Sequence, residues 1–175
     1  MANTGLLIFV EGPDDDRFVK RIFYDILSTR YSWVKTFQYS RKKPVSVCSY
    51  VHSIISMNSD YIFFVDLDFC PCISKKKDII LNQYPCLDKK KIIVVKKEIE
   101  CWYLAGINDE DIKAFGLNDF RSTDGLDKEI FKLKIPKEYV FRVDFMQEIC
   151  SRYSIPTAII KNTSFRYFVE KHRIL

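Results

Sequence analysis

Three uninterrupted apolar runs, separated by segments with helical spacing, constrain the fold of this chain more than any other feature. The runs are LLIFV (6–10), YIFFV (61–65) and the IIVV that follows Lys91 in the predicted strand KIIVV (91–95). Continuous apolar strands are typical of a parallel sheet whose two faces are both covered. A shorter strand is predicted at KTFQY (35–39). Apolar spacing predicts helices over 14–30, 46–57 and 74–84. This β-α-β-α-β-α-β order predicts an α/β fold, a Rossmann-like and mostly parallel sheet with helices on both faces.

The rest of the chain has a less regular pattern. Residues 115–140 are predicted to form an inserted loop with a short helix, and residues 143–153 and 164–172 two further helices. The segment TAII (157–160) is a candidate last strand. At 175 residues the chain has the length of one domain. We therefore predict a single domain over 1–175, with a core at about 5–105 and a helical part at 106–175.

Composition and hydropathy favour a soluble globular protein. Hydrophobic residues make up 47% of the chain and charged residues 29%. No stretch approaches the roughly 20 apolar residues that a membrane helix needs. The first residues, MANTGLLIFVEG, lack the basic region of a signal peptide. We therefore expect a cytoplasmic protein without a membrane partner.

The net charge of +5 comes from 28 basic and 23 acidic residues, and their distribution is uneven. Basic clusters occur at 41–43, 75–77 and 89–97, whereas acidic residues gather at 11–16, 66–68 and 98–100. Acidic groups at strand ends with lysines around them are suited to a metal site that meets a polyanion. The alternative is that the lysine runs are solvated helix faces and loops.

The six cysteines include no CxxC pair. Several lie in apolar runs, where a reduced thiol behaves as a small hydrophobe. Cys70, Cys72 and Cys86 are near one another in sequence and could bind zinc with a fourth ligand, although their spacing fits no standard zinc motif. Reduced structural thiols are the preferred interpretation.

Carboxylates follow the predicted strands at the point where each one ends. Glu11 follows the first strand and Asp66 ends the third. If these strands are neighbours, as in a flavodoxin-like order, the two side chains lie side by side. In the sequence Asp-Leu-Asp, an extended chain would point Asp66 and Asp68 the same way. Asp15 follows Glu11 by one helical turn.

A fourth strand ending in KKEIECW would bring Glu98 and Glu100 to the same edge. Ligation by oxygen alone selects a hard divalent ion such as Mg²⁺ or Mn²⁺. One or two such ions could hold a scissile phosphate. Asp14 and Asp16 are interpreted instead as favourable charge at a helix N-terminus.

The motifs LLIFVEG and YIFFVDLD, in this order and separated by two helices, resemble those of the Toprim domain family. The segment EGPDDDRFV is most similar to the OLD-like nuclease branch, which pairs the glutamate with an acidic residue four positions later, here Glu11 and Asp15. The IECW segment resembles that branch around Glu100, and SFRYF, from Ser164, resembles the start of its C-terminal helix. The resemblance covers residues 5–105 well and the remainder loosely.

This resemblance implies Mg²⁺- or Mn²⁺-dependent hydrolysis of phosphodiester bonds in DNA or RNA. Glu11, Asp66 and Glu100 would hold one ion, and Asp15 and Asp68 would hold or orient a second. Lys161, with Lys97 behind it, would neutralise charge on the phosphate. Arg166, within SFRYF, would also contact nucleic acid. Whether Glu98 or Glu100 is the ligand stays open.

The resemblance also raises the question of a partner. OLD-type proteins join the Toprim domain to an ATPase, and this sequence contains no GxxxxGK loop. We therefore expect an ATPase or sensor protein as partner, and a role in anti-phage defence. The oligomeric state is left open.

Three other interpretations compete with a nuclease. A phosphatase of the HAD type would need Asp-x-Asp on its first strand, where this chain has Glu11. A receiver domain would need a lone aspartate at the third strand. The third alternative is a non-catalytic Toprim-fold binding module, which differs from the enzyme in that a catalytic edge should bind Mn²⁺ and gain thermal stability from it.

Overall fold

The computed structural model describes residues 4–175 and has an α/β architecture with a four-stranded parallel sheet. The strands are β1 (Leu6–Val10), β2 (Val34–Gln38), β3 (Asp60–Asp66) and β4 (Ile92–Val95), in the spatial order β2-β1-β3-β4. The predicted fold class is therefore confirmed. The first and third strands are neighbours, which is the condition under which Glu11 and Asp66 were expected to lie side by side. Residues 1–3 lie outside the described part. They belong to the N-terminal segment that the sequence predicts not to be a signal peptide.

Helices connect the strands and form the C-terminal part of the chain. In residues 4–175 they are α1 (Pro13–Ile22), α2 (Tyr24–Ser28), α3 (Pro44–Ser56), α4 (Ile73–Gln83), α5 (Glu100–Ala105), α6 (Asp109–Ala114), α7 (Lys128–Leu133), α8 (Arg142–Ser151), α9 (Ile155–Lys161) and α10 (Thr163–His172). A short 3-10 turn at Lys89–Lys91 precedes β4. No helix in the described range is both long and apolar enough to cross a membrane.

The chain divides into two compact units, the first ending at Val94 and the second beginning at Val95. The single domain predicted from the sequence stays a prediction. In the first unit, every residue of β1 and the interior of β3 are buried. Leu7 and Phe9 alternate with residues on the opposite face and pack in one cluster with Val47 and Val51 of α3. This continuous burial explains why both strands are apolar throughout.

The second unit is helical and centres on α5. All six residues of α5 are buried, so this helix has no polar face. The indole nitrogen of Trp102 donates a hydrogen bond to Ser164 Oγ at 2.8 Å, and its ring contacts Phe165 and Phe168 of α10. These contacts fix α10 against α5.

Two local predictions were wrong, and two helices were missed. The helix predicted over 14–30 is broken at Phe23, whose φ of −113° departs from helical geometry. The segment TAII belongs to α9 instead of a strand, because Ser154 caps the helix by accepting from the Thr157 N–H. The helices α5 and α6 were not predicted, although Asn108, which caps α6, is a recognisable start signal.

The prediction of reduced thiols was wrong for two of the six cysteines. Cys48 of α3 and Cys86, in the loop before the 3-10 turn, form a disulfide that joins two parts of the first unit. Cys86 is therefore not available for the zinc site considered with Cys70 and Cys72. These two remain thiols, as do Cys101 and Cys150.

Candidate functional site

The carboxyl edge of the sheet in the first unit brings Glu11 and Asp66 to neighbouring positions. β1 and β3 are adjacent and parallel, and their register pairs Phe9 with Phe63. Glu11 is two residues past Phe9 and Asp66 three residues past Phe63, so the two acids leave the sheet at nearly the same level. Both side chains are half-buried. This juxtaposition is the one that the order of the strands predicted.

Asp15 is held close to the end of β1 by the start of α1. Its Oδ2 accepts a hydrogen bond from the Gly12 N–H at 3.1 Å, and Asp15 is only 6% exposed. The contact satisfies the N–H of Gly12, the residue before α1, and places negative charge where it interacts favourably with the helix dipole. Asp15 therefore stabilises the helix start and also brings a third carboxylate next to Glu11.

The flanking aspartates of α1 have other partners. Asp14 forms an ion pair with Arg17. Asp16 accepts hydrogen bonds from Thr36 of β2 and from Lys20. Burial alone would raise the pKa of Asp16, but these two hydrogen bonds outweigh it and lower the pKa. Asp16 thus fastens α1 to β2, a role beyond the helix-start charge that the sequence predicted.

Tyr39, directly after β2, links the ends of β1 and β3 and was not singled out from the sequence. Its N–H donates to the Val10 carbonyl at 3.0 Å, and its hydroxyl donates to the Phe64 carbonyl at 2.9 Å. The ring is 5% exposed and stacks on Phe63 at 4.4 Å between centroids. Tyr39 therefore holds the two strand ends in register at the level of Glu11 and Asp66.

The three carboxylates of this edge all raise the pKa of one buried side chain, Tyr39. Burial raises the pKa of the Tyr39 hydroxyl well above its ordinary value, and the negative charges of Glu11, Asp15 and Asp66 raise it further. The pKa of Tyr84 is raised by burial and then by Glu11. Three carboxylates thus lie within electrostatic range of the same phenol, which stays protonated and able to donate its hydrogen bond.

Asp68 is placed differently from what the sequence predicted. β3 ends at Asp66, and Asp68 lies beyond it with a left-handed φ of 50°. The extended Asp-Leu-Asp geometry, which would point Asp66 and Asp68 the same way, was therefore wrong. Asp68 Oδ2 accepts a hydrogen bond from Lys76 Nζ of α4 at 2.7 Å. This ion pair ties the turn after β3 to α4.

The donor set at this edge fits a hard divalent cation. Glu11, Asp15 and Asp66 offer only carboxylate oxygens, the ligands that Mg²⁺ and Mn²⁺ prefer. Among residues 4–175, however, no three His, Cys, Asp or Glu side chains are grouped closely enough to hold a metal ion as they stand. A cation would therefore have to draw these side chains closer together.

Glu100 lies in the second unit, at the start of α5. The prediction that Glu100 lies at the end of the fourth strand was wrong, because β4 already ends at Val95. Glu100 is 6% exposed, and its Oε1 accepts a hydrogen bond from Arg142 Nη1 at 2.7 Å. Burial is the main cause that raises the pKa of Glu100, and the nearby charge of Glu98 adds to it.

Glu98 is occupied by α7. Its two carboxylate oxygens accept from the Lys128 N–H at 2.7 Å and from Lys128 Nζ at 2.9 Å. Glu98 therefore binds the first residue of α7 at both its backbone and its side chain.

The predicted phosphate-binding lysine, Lys161, is 8% exposed at the end of α9. Its ammonium donates to the Ile107 carbonyl at 2.9 Å, lies 3.4 Å from Asp109 Oδ1, and lies over the ring of Phe120 at 5.1 Å from the centroid. These contacts hold the segment between α5 and α6. Its predicted contact with phosphate stays a prediction.

The two remaining predicted nucleic-acid contacts lie in the second unit with less burial. Lys97 is half-buried and has a left-handed φ of 60°. Arg166 is exposed on α10. Of the predicted site residues, Glu11, Asp15, Asp66 and Asp68 therefore lie in the first unit, the first three at the carboxyl edge of the sheet. Lys97, Glu100, Lys161 and Arg166 lie in the second unit.

Asp124 is a further organising residue in the second unit that the sequence did not indicate. Its carboxylate accepts from the N–H and the hydroxyl of Thr163, at 2.9 and 2.8 Å, and from Lys96 Nζ at 2.9 Å. Burial alone would raise the pKa of Asp124, but these hydrogen bonds outweigh it and lower the pKa. Asp124 thus fixes the first residue of α10.

We expect Asp124→Asn to lower the free energy of unfolding by about 1–3 kcal/mol at neutral pH, because hydrogen bonds to a charged acceptor are lost. The pKa of Asp124 is lower in the folded protein than the value of about 3.9 in the unfolded chain. The ionised carboxylate therefore stabilises the protein above that pH, and this stabilisation is lost as the pH falls. The difference from wild type should therefore shrink below about pH 4. Urea unfolding at several pH values measures it. Asp119→Asn, at an exposed carboxylate, should show no such pH-dependent difference.

Comparison with known proteins gives structural matches only. No protein-family model matches the sequence, and no curated protein matches it. Two solved structures match nearly the whole chain. The C-terminal region of the OLD protein of Xanthomonas campestris pv. campestris is 13% identical, with a TM-score of 0.47 over 99% of this chain and 97% of that one. The C-terminal region of the Burkholderia pseudomallei OLD protein is also 13% identical, with a TM-score of 0.42 over all of both chains.

Proposed function

We propose that this protein is a divalent-cation-dependent nuclease that hydrolyses phosphodiester bonds of DNA or RNA at the carboxyl edge of its sheet. The observation that carries the proposal is the juxtaposition of Glu11 and Asp66 on adjacent parallel strands, with the buried Asp15 beside them. Besides burial, the negative charges of all three raise the pKa of the Tyr39 hydroxyl, so the three carboxylates surround one buried group. A bound cation would offset the repulsion among them.

In this proposal Glu11, Asp15 and Asp66 hold Mg²⁺ or Mn²⁺, and Asp68 and Glu100 are additional predicted ligands. The cation, when bound, would stabilise charge on the phosphate and acidify a water molecule. Tyr39 keeps the strand ends in register through the Phe64 carbonyl. Lys161 is proposed to neutralise charge on the phosphate, with Lys97 and Arg166 in contact with nucleic acid.

Two further parts of the proposal concern the setting of the activity. An ATPase or sensor protein is proposed as partner, with a role in anti-phage defence. A non-catalytic binding module is the second candidate function. It is favoured by the internal contacts of Glu100 with Arg142 and of Lys161 with Ile107, which already occupy two predicted site residues.

The test combines cleavage with metal binding on the purified protein. Supercoiled plasmid, single-stranded DNA and single-stranded RNA are incubated with protein in Mn²⁺, Mg²⁺ or EDTA, and melting temperatures are recorded in the same buffers. We expect cleavage with Mn²⁺ or Mg²⁺ and none in EDTA, and a rise in melting temperature with Mn²⁺, since an ion that binds only the folded state stabilises it. A Mn²⁺-induced rise without cleavage would favour a nuclease that needs its partner. If neither cleavage nor a rise in melting temperature is observed, the nuclease proposal fails and the non-catalytic binding module is the remaining candidate.

A further inference from the structure

The turn after β3 exposes an aromatic ring beside the carboxylate edge. Phe69 is 99% exposed, more than any other large apolar side chain in residues 4–175. It lies three residues past Asp66, the acid that ends β3. A single exposed apolar side chain is ordinary on a protein surface, so what matters is where this ring lies, next to the acid that ends β3.

The turn that carries Phe69 is anchored on both sides of it. The Cys70 N–H donates to the Leu67 carbonyl at 3.0 Å, which closes the turn. Asp68 is tied to Lys76 of α4 at 2.7 Å. Because these two contacts restrain the backbone around Phe69, less conformational entropy is lost when a flat partner stacks on the ring.

Basic residues flank this edge on the side of β2. Arg41, Lys42 and Lys43 follow β2 and are all exposed. β2 is the neighbour of β1 in a parallel sheet, so this segment leaves the same edge as Glu11 and Asp66. Positive charge next to an acidic cluster can neutralise the phosphates of a nucleic acid on either side of the acids.

The side of this edge next to α4 is also basic, and the N-termini of α3 and α4 also favour negative ligands. Lys75 is exposed in the first turn of α4, which follows the turn of Phe69. Neither α3 nor α4 has an acidic residue in its first turn or a side chain that caps its first N–H groups. Helix N-termini of this kind attract phosphate through their N–H groups and their dipole.

We propose that this edge of the first unit binds single-stranded nucleic acid, with one base stacked on Phe69 and phosphates on the segment 41–43 and on Lys75. The strand would then pass over Glu11 and Asp66. A duplex would not fit equally well, because its base faces are already stacked. From β2 to β3 the edge is about 10 Å wide, two strand spacings, or roughly three stacked nucleotides. This inference rests on the proposed function and names its substrate class.

The first test measures binding without cleavage, by fluorescence anisotropy of a labelled oligo-dT and of a labelled hairpin duplex in EDTA. We expect the wild type to bind oligo-dT more tightly than the duplex. Phe69→Ala should weaken binding of oligo-dT roughly 5- to 150-fold, the range found for loss of one stacked base. Phe141→Ala removes another exposed phenylalanine, 66% exposed in the second unit, and should bind as the wild type does.

The second test measures the electrostatic part with two triple variants of equal charge. Arg41→Glu, Lys42→Glu and Lys43→Glu together lower the net charge from +5 to −1, and so do Lys113→Glu, Arg121→Glu and Lys137→Glu, at exposed positions of the second unit. The first triple should reduce the slope of log affinity against log salt by about 2, since roughly 0.7 is lost per phosphate contact. The second triple should leave the slope close to that of the wild type.

The outcomes separate this inference from the proposed function. Equal affinity of the wild type for duplex and oligo-dT, or equal affinities of Phe69→Ala and Phe141→Ala, would overturn the inference even if cleavage is observed. Equal slopes of the two triple variants would do the same. Selective binding of oligo-dT that depends on Phe69 would support the inference even if no cleavage occurs, because the assay contains EDTA. Far-UV circular dichroism confirms that each variant is folded.

Discussion

Asp66→Asn is expected to lower the rate of cation-dependent cleavage on the order of 100-fold or more, with the fold unchanged. Asp66 ends β3 next to Glu11, and an amide of the same shape cannot supply the negative charge that holds a divalent cation. The Mn²⁺-induced rise in melting temperature should disappear together with cleavage. Nicking assays and thermal unfolding with and without Mn²⁺ measure the two effects.

The metal-free protein provides an independent check on the same variant. Melting temperatures of the variant and of the wild type in EDTA report any effect of the substitution on the fold that does not depend on a bound cation. Asp78→Asn, at an exposed carboxylate of α4 paired with Lys89, is the matched control and should cleave normally. If Asp66→Asn cleaves at the wild-type rate, the proposed nuclease site is wrong.

Trp102→Ala is expected to lower the free energy of unfolding by about 3–5 kcal/mol, the largest effect on stability that we predict. Trp102 is fully buried in α5, contacts two phenylalanines of α10, and donates to Ser164. Its removal leaves a cavity and a hydroxyl that has lost one partner. Since small proteins are stable by about 5–15 kcal/mol, this is a large fraction of the total. Urea unfolding measures the change.

A smaller substitution separates packing from hydrogen bonding at this position. Trp102→Phe keeps much of the ring but removes the indole N–H, and should cost less than Trp102→Ala. Phe141→Ala, at an exposed ring, should change stability by less than about 0.5 kcal/mol. A loss for Trp102→Ala no larger than that of Phe141→Ala would show that the core of the second unit is not built around α5.

β1, β3 and β4 could be predicted because burial on both faces leaves a clear apolar pattern. The order of the strands entered the prediction only as a condition: if the first and third are neighbours, their carboxyl ends bring Glu11 and Asp66 to one edge. α5 could not be predicted, because a helix buried on all sides lacks the amphipathic spacing that identifies helices. The position of Asp68 depends on its ion pair with Lys76, eight residues away, which no local pattern reveals.

Tyr39 and the disulfide illustrate a second limit. The role of Tyr39 depends on the carbonyl of Phe64, which is remote in sequence and becomes its partner only when β2, β1 and β3 align. Cys48 of α3 and Cys86, which lies after α4, are likewise remote in sequence and meet only in the folded first unit. Each of these residues has an ordinary local context, so its contribution follows from tertiary structure alone.

The central position of β1 has a consequence for synthesis on the ribosome. Of the four strands of this sheet β1 is made before the others, yet its two partners are β2 and β3, which end at Gln38 and Asp66. Translation proceeds at roughly 5–20 residues per second, so several seconds pass between the synthesis of LLIFV and the synthesis of its second neighbouring strand. During that interval a short, uncharged and strongly apolar segment is exposed, which is the kind that chaperones bind and that aggregates when they do not.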